Sequence, residues 1–425
     1  MGWWDGSRWL GSRWVYNAET VANIQLYFGL ECVHENDCIN GITANSQQRN
    51  NIAKGQGIEL RENGSDVSRR QVYGETVLSA SSEEQHARGS PREVQLGKPT
   101  ASLEIPVSYR VHNKFWYYLF AFGAALGDDI FYYTFYPFWF FNLSPWIIRR
   151  VALMWGLLMY IGQSSKEIIK WPRPSAPPVA PLERRYFREY GMPSTHAMVG
   201  TLVPFTILVV SWDKVEYSPI AGILLASSWT LLVCLSRLYK GMHYILDIIV
   251  GIILTAILMF IVFQFLEQLD TFLITHPVAP LVSIVAALFL GTIYPTQDGW
   301  SSTRGDTIVI MGVTTGIYSS IWLAHHFDMP PPYTELPPPQ IQWPGLYQVA
   351  AMMVRELIGV TMMGLAHLTF KTIILGLLSM ISGQKITEET KKKAWVEIPY
   401  KYITYFAISA TVFLISPFIF KFVGL

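Results

Sequence analysis

The chain has 425 residues, and its 32 Lys and Arg against 31 Asp and Glu leave a net charge of +1. Only 15% of residues are charged, 51% are hydrophobic and 14% aromatic, with a mean hydropathy of +0.27. This excludes a soluble multidomain chain, which carries about 25% charge, and gives no bulk attraction to nucleic acid; three Cys exclude a disulfide scaffold or a four-ligand zinc site.

In chain order, residues 1–33 interleave Trp3, Trp4, Trp9 and Trp14 with Arg8 and Arg13. Glu19 to Leu30 has the pattern of a short amphipathic helix. Two readings stay open: a peg at the lipid interface, or a helix packed on the protein's own surface. No short apolar run with a small-residue cleavage site opens the chain, so a later span is expected to do the targeting. Residues 34–110 form a polar segment, and 34 to about 104 bury too little to offset ordering entropy, so disorder is expected there. The segment carries a glycosylation sequon at Asn63-Gly64-Ser65.

From Asn113 apolar runs recur near the length a helix needs to cross the hydrocarbon. They fall at 115–141, 147–163, 196–212, 219–238, 244–266, 277–294, 307–325, 350–371 and 402–424. The apolar stretch 372–382 is an extension, an interfacial helix or a further crossing. The expected fold is therefore an all-α, polytopic transmembrane bundle of about 8–10 spans. Pro330 to Pro344 reads as a stiff extended loop. Lys385 to Lys401 contains Lys391, Lys392 and Lys393, which the positive-inside tendency places in the cytosol.

Three clusters carry chemistry, all at the ends of predicted spans. In the first, Lys166 and Arg173 stand seven apart, two turns on one helix face, and Trp171, Pro172 and Pro174 stiffen the end. In the second, Pro193-Ser194-Thr195-His196 opens a span, where unpaired amides make an anion site and His196 can give a proton. In the third, Ser236-Arg237 precedes His243 and Asp247, which are four apart, so the carboxylate can hold one imidazole nitrogen and leave the other nucleophilic. Cations, helix-end amides, a His acid and an Asp-oriented His suit phosphoryl transfer, whose transition state spreads charge over three oxygens. The cations already neutralise a phosphate, so neither a metal nor a cofactor is required.

These residues resemble the type 2 phosphatidic acid phosphatase superfamily: Lys166 with Arg173-Pro174, then Pro193-Ser194-Thr195-His196, then Ser236-Arg237 with His243 and Asp247. Thr195 stands where the general pattern has Gly, the residue that permits the nearest approach of backbone to phosphate. Met192 to Met198 is similar to the sphingosine-1-phosphate phosphatases, a branch of that superfamily whose second motif carries Thr. So are Trp171 to Pro178, Cys234 to Arg237, Thr303 to Thr307 and Glu397 to Tyr405.

The resemblance implies a phosphatase core over 111–270 and additional spans over 271–425. It implies a metal-independent lipid phosphatase of the endoplasmic reticulum membrane, acting on sphingosine 1-phosphate and its dihydro and phyto relatives. In that reading His243 becomes phosphorylated, Asp247 orients it, and His196 protonates the leaving alcohol. Lys166, Arg173, Ser194, Thr195 and Arg237 hold the phosphate, and the site faces the lumen. Two alternatives stay open: a broad phosphatidate and lysophosphatidate phosphatase, or an inactive transporter or scaffold.

A lumenal site puts Arg149 and Arg150 in the cytosol, but puts Lys391 in the lumen unless 372–382 crosses as well. Asp128 and Asp129, inside the first predicted span, either meet the ammonium of a sphingoid base or face the bundle as a hydrogen-bonded pair. His325 and His326 close another span without further ligands in sight, an interfacial rather than a metal role.

Overall fold

The computed structural model describes residues 13–33, 108–183, 189–296, 300–329 and 335–425. The expectations for Trp3, Trp4, Arg8, Trp9, the polar segment 34–104 and residues 330–334 lie outside them.

The described N-terminal residues begin with a 3-10 turn, Arg13–Tyr16, and helix α1, Ala18–Tyr27, capped by the Asn17 side chain accepting from the Glu19 amide. Strand β1, Leu30–Val33, pairs with β2, Ser108–Val111. Of the two readings of this segment, the contacts favour packing on the protein's own surface. Gln25 of α1 is buried, donates to the carbonyls of Ala180 and Tyr239, and accepts from the Ala180 amide. The Tyr16 ring rests on Trp171 and Tyr244, at 4.6 and 4.5 Å between centroids.

Helices then dominate. The first expected span is broken into α2, Lys114–Ala125, and α3, Asp129–Asn142. The break falls at Gly127-Asp128, where a Cβ on Gly127 would lie 2.8 Å from the His196 ring. Helix α4, Pro145–Ile169, starts with a Ser144 cap and a proline in its first turn, and ends where Lys170 turns left-handed at φ 56°. Then follow α5, Thr195–Ser211; α6, Pro219–Tyr239; and α7, Ile245–Phe263.

The span expected at 277–294 is the second arm of a bent pair. Helices α8, Leu266–Thr275, and α9, Ala279–Thr292, meet at 115°. Pro277 lies in the bend, without an amide to continue the ladder. Last come α10, Ser302–His326; α11, Leu346–Ser382; and α12, Ala394–Val423.

Five of these helices (α6, α7, α10, α11 and α12) are long and apolar enough to cross a membrane, and the bent pair makes a sixth. The other three expected spans are the broken α2–α3, the charged but buried α4, and α5, which is apolar but has 17 residues. The chain is a multi-pass membrane protein built as an all-α bundle.

Helix α4 runs through the middle, buried from Ile147 to Gly156 and again at Leu158, Met159 and Gly162. Its apolar face packs with Tyr132 and Tyr136 of α3, Ile317 and Ile321 of α10, and Val412 and Phe413 of α12. Helices α10 and α12 touch through backbone. A Cβ on Gly312 would lie 2.8 Å from the Tyr402 carbonyl oxygen, and one on Gly316 2.6 Å from that of Phe406. Small residues at such crossings let backbones pack closely in lipid, where the tails are as apolar as the side chains and close packing, not the hydrophobic effect, holds helices together.

The stretch 372–382 continues α11 without a break, so it is not a separate crossing. Contacts then assign the chain ends of the helices. Lys166, Ser194, Arg237 and His243 gather at one end of the bundle. The α10 start joins them, since Ser302 donates to Glu189. So does the loop before α12, whose Lys392 carbonyl accepts from Arg304. Arg149 and Arg150 lie at the other end, where Glu216 bridges Gln340. A cytosolic Lys391–Lys393 and a lumenal site therefore exclude each other.

Candidate active site

The first motif is assembled differently from the helix its spacing predicts. Helix α4 stops three residues after Lys166, and Arg173 sits on the extended proline-flanked segment that follows. The stiff end is as expected; a shared helix face is not. Arg173 is held on three sides: Nε donates to the Glu189 carbonyl at 2.9 Å, Nη1 to the Met242 carbonyl at 2.7 Å, and Nη1 lies 3.4 Å from His243 Nε2. Lys166 Nζ, 1% exposed, meets Glu189 Oε2 at 3.3 Å.

The second motif opens α5. Ser194 is its cap, its Oγ accepting from the Ala197 amide at 3.4 Å, while its own amide donates to the Asp247 carbonyl at 3.0 Å. That last bond ties the second motif to the third. Thr195 and His196 face a cavity, and His196 Nε2 lies 3.4 Å from Asp128 Oδ1. The break between α2 and α3 thus brings a carboxylate from the first span to the second-motif histidine. The side chain of Asp129 lies outside the described residues.

The third motif is also not one continuous helix. Gly241, at φ 67°, ends α6 sharply, a left-handed conformation that favours glycine. His243 lies in the turn before α7, and Asp247 in the first turn of α7. Asp247 Oδ2 accepts from the Tyr244 amide at 2.9 Å and stands 3.4 Å from His243 Nδ1. The imidazole therefore turns Nδ1 to the carboxylate and Nε2 to Arg173. Arg237 is wholly buried at the end of α6, bonds Ser236 and Glu183, and keeps one amino group, Nη2, without a protein partner.

Among the acids of this site the sequence singles out Asp247 and Asp128, but neither Glu183 nor Glu189. The connector between α4 and α5 brings two glutamates onto the cations: Glu189 onto Lys166 and Arg173, and Glu183 onto Arg237 and Lys240. Burial raises the pKa of both, but the cations outweigh it, Arg237 first for Glu183 and Lys166 first for Glu189, so both stay below the usual carboxylate range. His243 is driven well below its ordinary value, first by burial and then by Arg173 and Lys166, so its imidazole is neutral. The only signal for the two glutamates is an acid at each end of a basic connector, which carries no period.

Lys166, Arg173, Thr195, His196, Arg237 and His243 all line one cavity of about 570 Å³, a size typical of small-molecule sites. Ser194 and Asp247 stand behind it, holding its wall. A tetrahedral dianion fits the cation set, with a neutral imidazole nitrogen on one side and a second histidine on another.

The PAP2 superfamily model matches residues 147–270, which contain all three motifs. Sphingosine-1-phosphate phosphatase 2 of Homo sapiens is 36% identical over 374 residues, covering 86% of this chain and 92% of that protein. Sphingosine-1-phosphate phosphatase 1 of Rattus norvegicus is 37% identical over 324 residues, 74% of each chain. A dihydrosphingosine 1-phosphate phosphatase of Schizosaccharomyces pombe is 24% identical over 216 residues, 48% of this chain and 52% of that protein. No solved structure gives a significant match.

Proposed function

The chain belongs to the sphingosine-1-phosphate phosphatase family, and from that membership we propose that this lipid phosphatase hydrolyses sphingosine 1-phosphate, with its dihydro and phyto relatives, through a phosphohistidine. The observation that carries the mechanism is the orientation of His243. Its Nε2 lies 3.4 Å from a phosphate-binding guanidinium nitrogen, while Nδ1 faces Asp247 at 3.4 Å.

The phosphate enters on Lys166, Arg173 and Arg237, whose spare Nη2 gains an acceptor. Ser194 and Thr195 complete the cradle at the start of α5. His243 Nε2 attacks phosphorus, the P–N bond forms, and the P–O ester bond breaks. His196 gives its proton to the departing alkoxide, releasing the free base. His196 then takes a proton from water as its oxygen attacks phosphorus, the P–N bond breaks, and inorganic phosphate leaves. Asp128 positions His196, and Asp247 stabilises the charge that develops on His243. The cations neutralise the phosphoryl group, so no metal enters the scheme.

The test is phosphate release from sphingosine 1-phosphate, phosphatidate and lysophosphatidate, in EDTA, with the His243→Ala variant beside the wild type. Preference for sphingosine 1-phosphate is expected, with a loss of at least about 10³-fold in the variant and inhibition by vanadate. Equal rates on the glycerol lipids would keep the mechanism and remove the substrate. Activity lost in EDTA and restored by magnesium would remove the metal-free scheme, and release undiminished in His243→Ala would leave only the scaffold reading.

The enzyme is further proposed to reside in the endoplasmic reticulum with its site in the lumen. The loop Lys385 to Lys393 then shares the lumen. Its charges are partly tied up, with Lys391 on Glu388 and Lys392 over the Trp300 ring. A glycosylation sequon inserted between Lys385 and Lys391 should be modified in cells; modification of one inserted beside Gln340 instead would reverse the orientation.

A further inference from the structure

Two irregular stretches carry the first and third motifs. Residues 170–183 hold Arg173, and residues 240–244 hold His243. Neither has a helical or strand ladder of its own, so its backbone groups must be held from outside. The backs of both rest on one segment, the 3-10 turn Arg13–Tyr16 with helix α1. That segment lies outside the family match, which begins at residue 147.

Gln25 joins the two stretches. Its Nε2 donates to the carbonyls of Ala180 and Tyr239, both at 2.8 Å, and its Oε1 accepts from the Ala180 amide at 2.9 Å. Tyr239 ends α6, so its carbonyl has no donor within the helix. Two residues on, Gly241 turns against the same side chain: a Cβ there would lie 2.9 Å from Gln25 Nε2 and 2.5 Å from Val179. The neighbours of Gln25 extend the hold. Val21 is buried with Val179 and Tyr244, and Tyr16 rests on the rings of Trp171 and Tyr244. Ile24 packs against Ala197, Leu238 and Ile248, one from each of α5, α6 and α7. The residues so held stand beside the motif residues. The Tyr244 amide donates to Asp247 Oδ2, the Met242 carbonyl accepts from Arg173 Nη1, and Trp171 comes two residues before Arg173. Tyr16, Val21 and Gln25 do not line the cavity, so they act from behind it.

We propose that residues 16–25 form a clamp that sets His243 against Arg173, with Gln25 and Tyr16 as its positioning residues. In-line attack needs His243 Nε2 aimed at a phosphorus that Arg173 holds, and a misplacement of about 1 Å costs about 100-fold. The clamp fixes that aim by tying the stretch before Gly241 to the stretch after Arg173. The inference rests on the reading of His243 as nucleophile and adds the residues that keep it in place.

The test uses the full chain in detergent and measures kcat on sphingosine 1-phosphate, the thermal midpoint, and inhibition by vanadate and by inorganic phosphate. Gln25→Leu removes all three hydrogen bonds. It should lower kcat about 10–100-fold and weaken vanadate, which mimics five-coordinate phosphorus, by a similar factor. Phosphate needs the cations but no aimed nucleophile, so its inhibition should stay within about 3-fold. Tyr16 is 41% exposed, so Tyr16→Ala guards against misfolding of the leucine variant. It should lower kcat about 3–10-fold, the worth of an aromatic contact or two, and Tyr16→Phe, which keeps the ring, should restore it. A lower midpoint with kcat and vanadate inhibition unchanged would make the segment mere structure and overturn the inference. So would an equal loss of vanadate and phosphate binding, or a Tyr16→Phe no better than Tyr16→Ala. His243→Ala runs beside these variants: activity retained there removes the nucleophile and the inference with it, whereas activity lost there but kept in Gln25→Leu overturns the inference alone.

Discussion

Helix α4 carries a buried cation cluster at each end, and the two are built from the same groups to opposite effect. Near its start, Arg149 Nε meets Asp270 Oδ1 at 2.9 Å, and Arg150 Nη2 meets Asp270 Oδ2 at 2.8 Å. Tyr318 donates to the same carboxylate at 2.8 Å, and Arg150 also lies 3.7 Å over the Trp146 ring. All the partners come from helices, and none of these five residues lines the cavity described above. Near its end, Lys166 and its neighbours are balanced by connector glutamates and look onto that cavity. A buried ion pair by itself is thus no sign of function. The marks of a site are an unpartnered donor such as Arg237 Nη2, an unpartnered acceptor such as Gln163 Oε1, and acids that a ligand's own charge can replace.

The largest effect that tests this contrast is at the closed end. Asp270→Ala leaves two arginines buried without their carboxylate, which costs about 3–5 kcal/mol. A steep fall in folded yield and thermal midpoint is expected, while kcat/KM of the surviving folded fraction stays within about 2-fold of wild type. A selective loss of turnover at an unchanged midpoint would mean that the two ends are not separate in role.

Much of this was legible in the sequence because motif chemistry is local. His243 and Asp247 stand in one turn, Ser194 caps the helix that Thr195 opens, and Pro172 and Pro174 hold Arg173 extended. The apolar runs located every helix of the bundle except α8, Leu266–Thr275, which falls between two of them. What the runs lacked was any mark of a break or a bend: Gly127-Asp128 divides the run 115–141, and the span expected to begin at Pro277 is joined there to a preceding helical arm. The helix spacing proposed for Lys166 with Arg173 and for His243 with Asp247 gave the correct neighbours for the wrong reason, since in each pair one residue lies beyond the helix end. The acids Glu183 and Glu189 were illegible because partners of theirs lie far along the chain. Glu189 meets Ser302 across 113 residues, a separation over which no period or motif carries information.

The smaller effect lies at the open end and concerns the exchange of Glu189 for a ligand phosphate. With its pKa held below the usual carboxylate range by Lys166 and Arg173, Glu189 contributes stability that is fully present above the unfolded value of about 4.3. That contribution is lost as pH falls through the depressed folded value, because the unfolded state binds more protons in that window. Glu189→Gln should therefore flatten the rise of stability with pH below about pH 4.5. At neutral pH the variant should unfold at lower temperature, yet bind inorganic phosphate about 3–10-fold more tightly, since the anion no longer competes with a carboxylate for the two cations. Asp270→Ala should show the first behaviour without the second. Weaker phosphate binding in Glu189→Gln would instead make Glu189 a support that positions Lys166 and Arg173 in the bound state, and the open end would then be as closed as its counterpart.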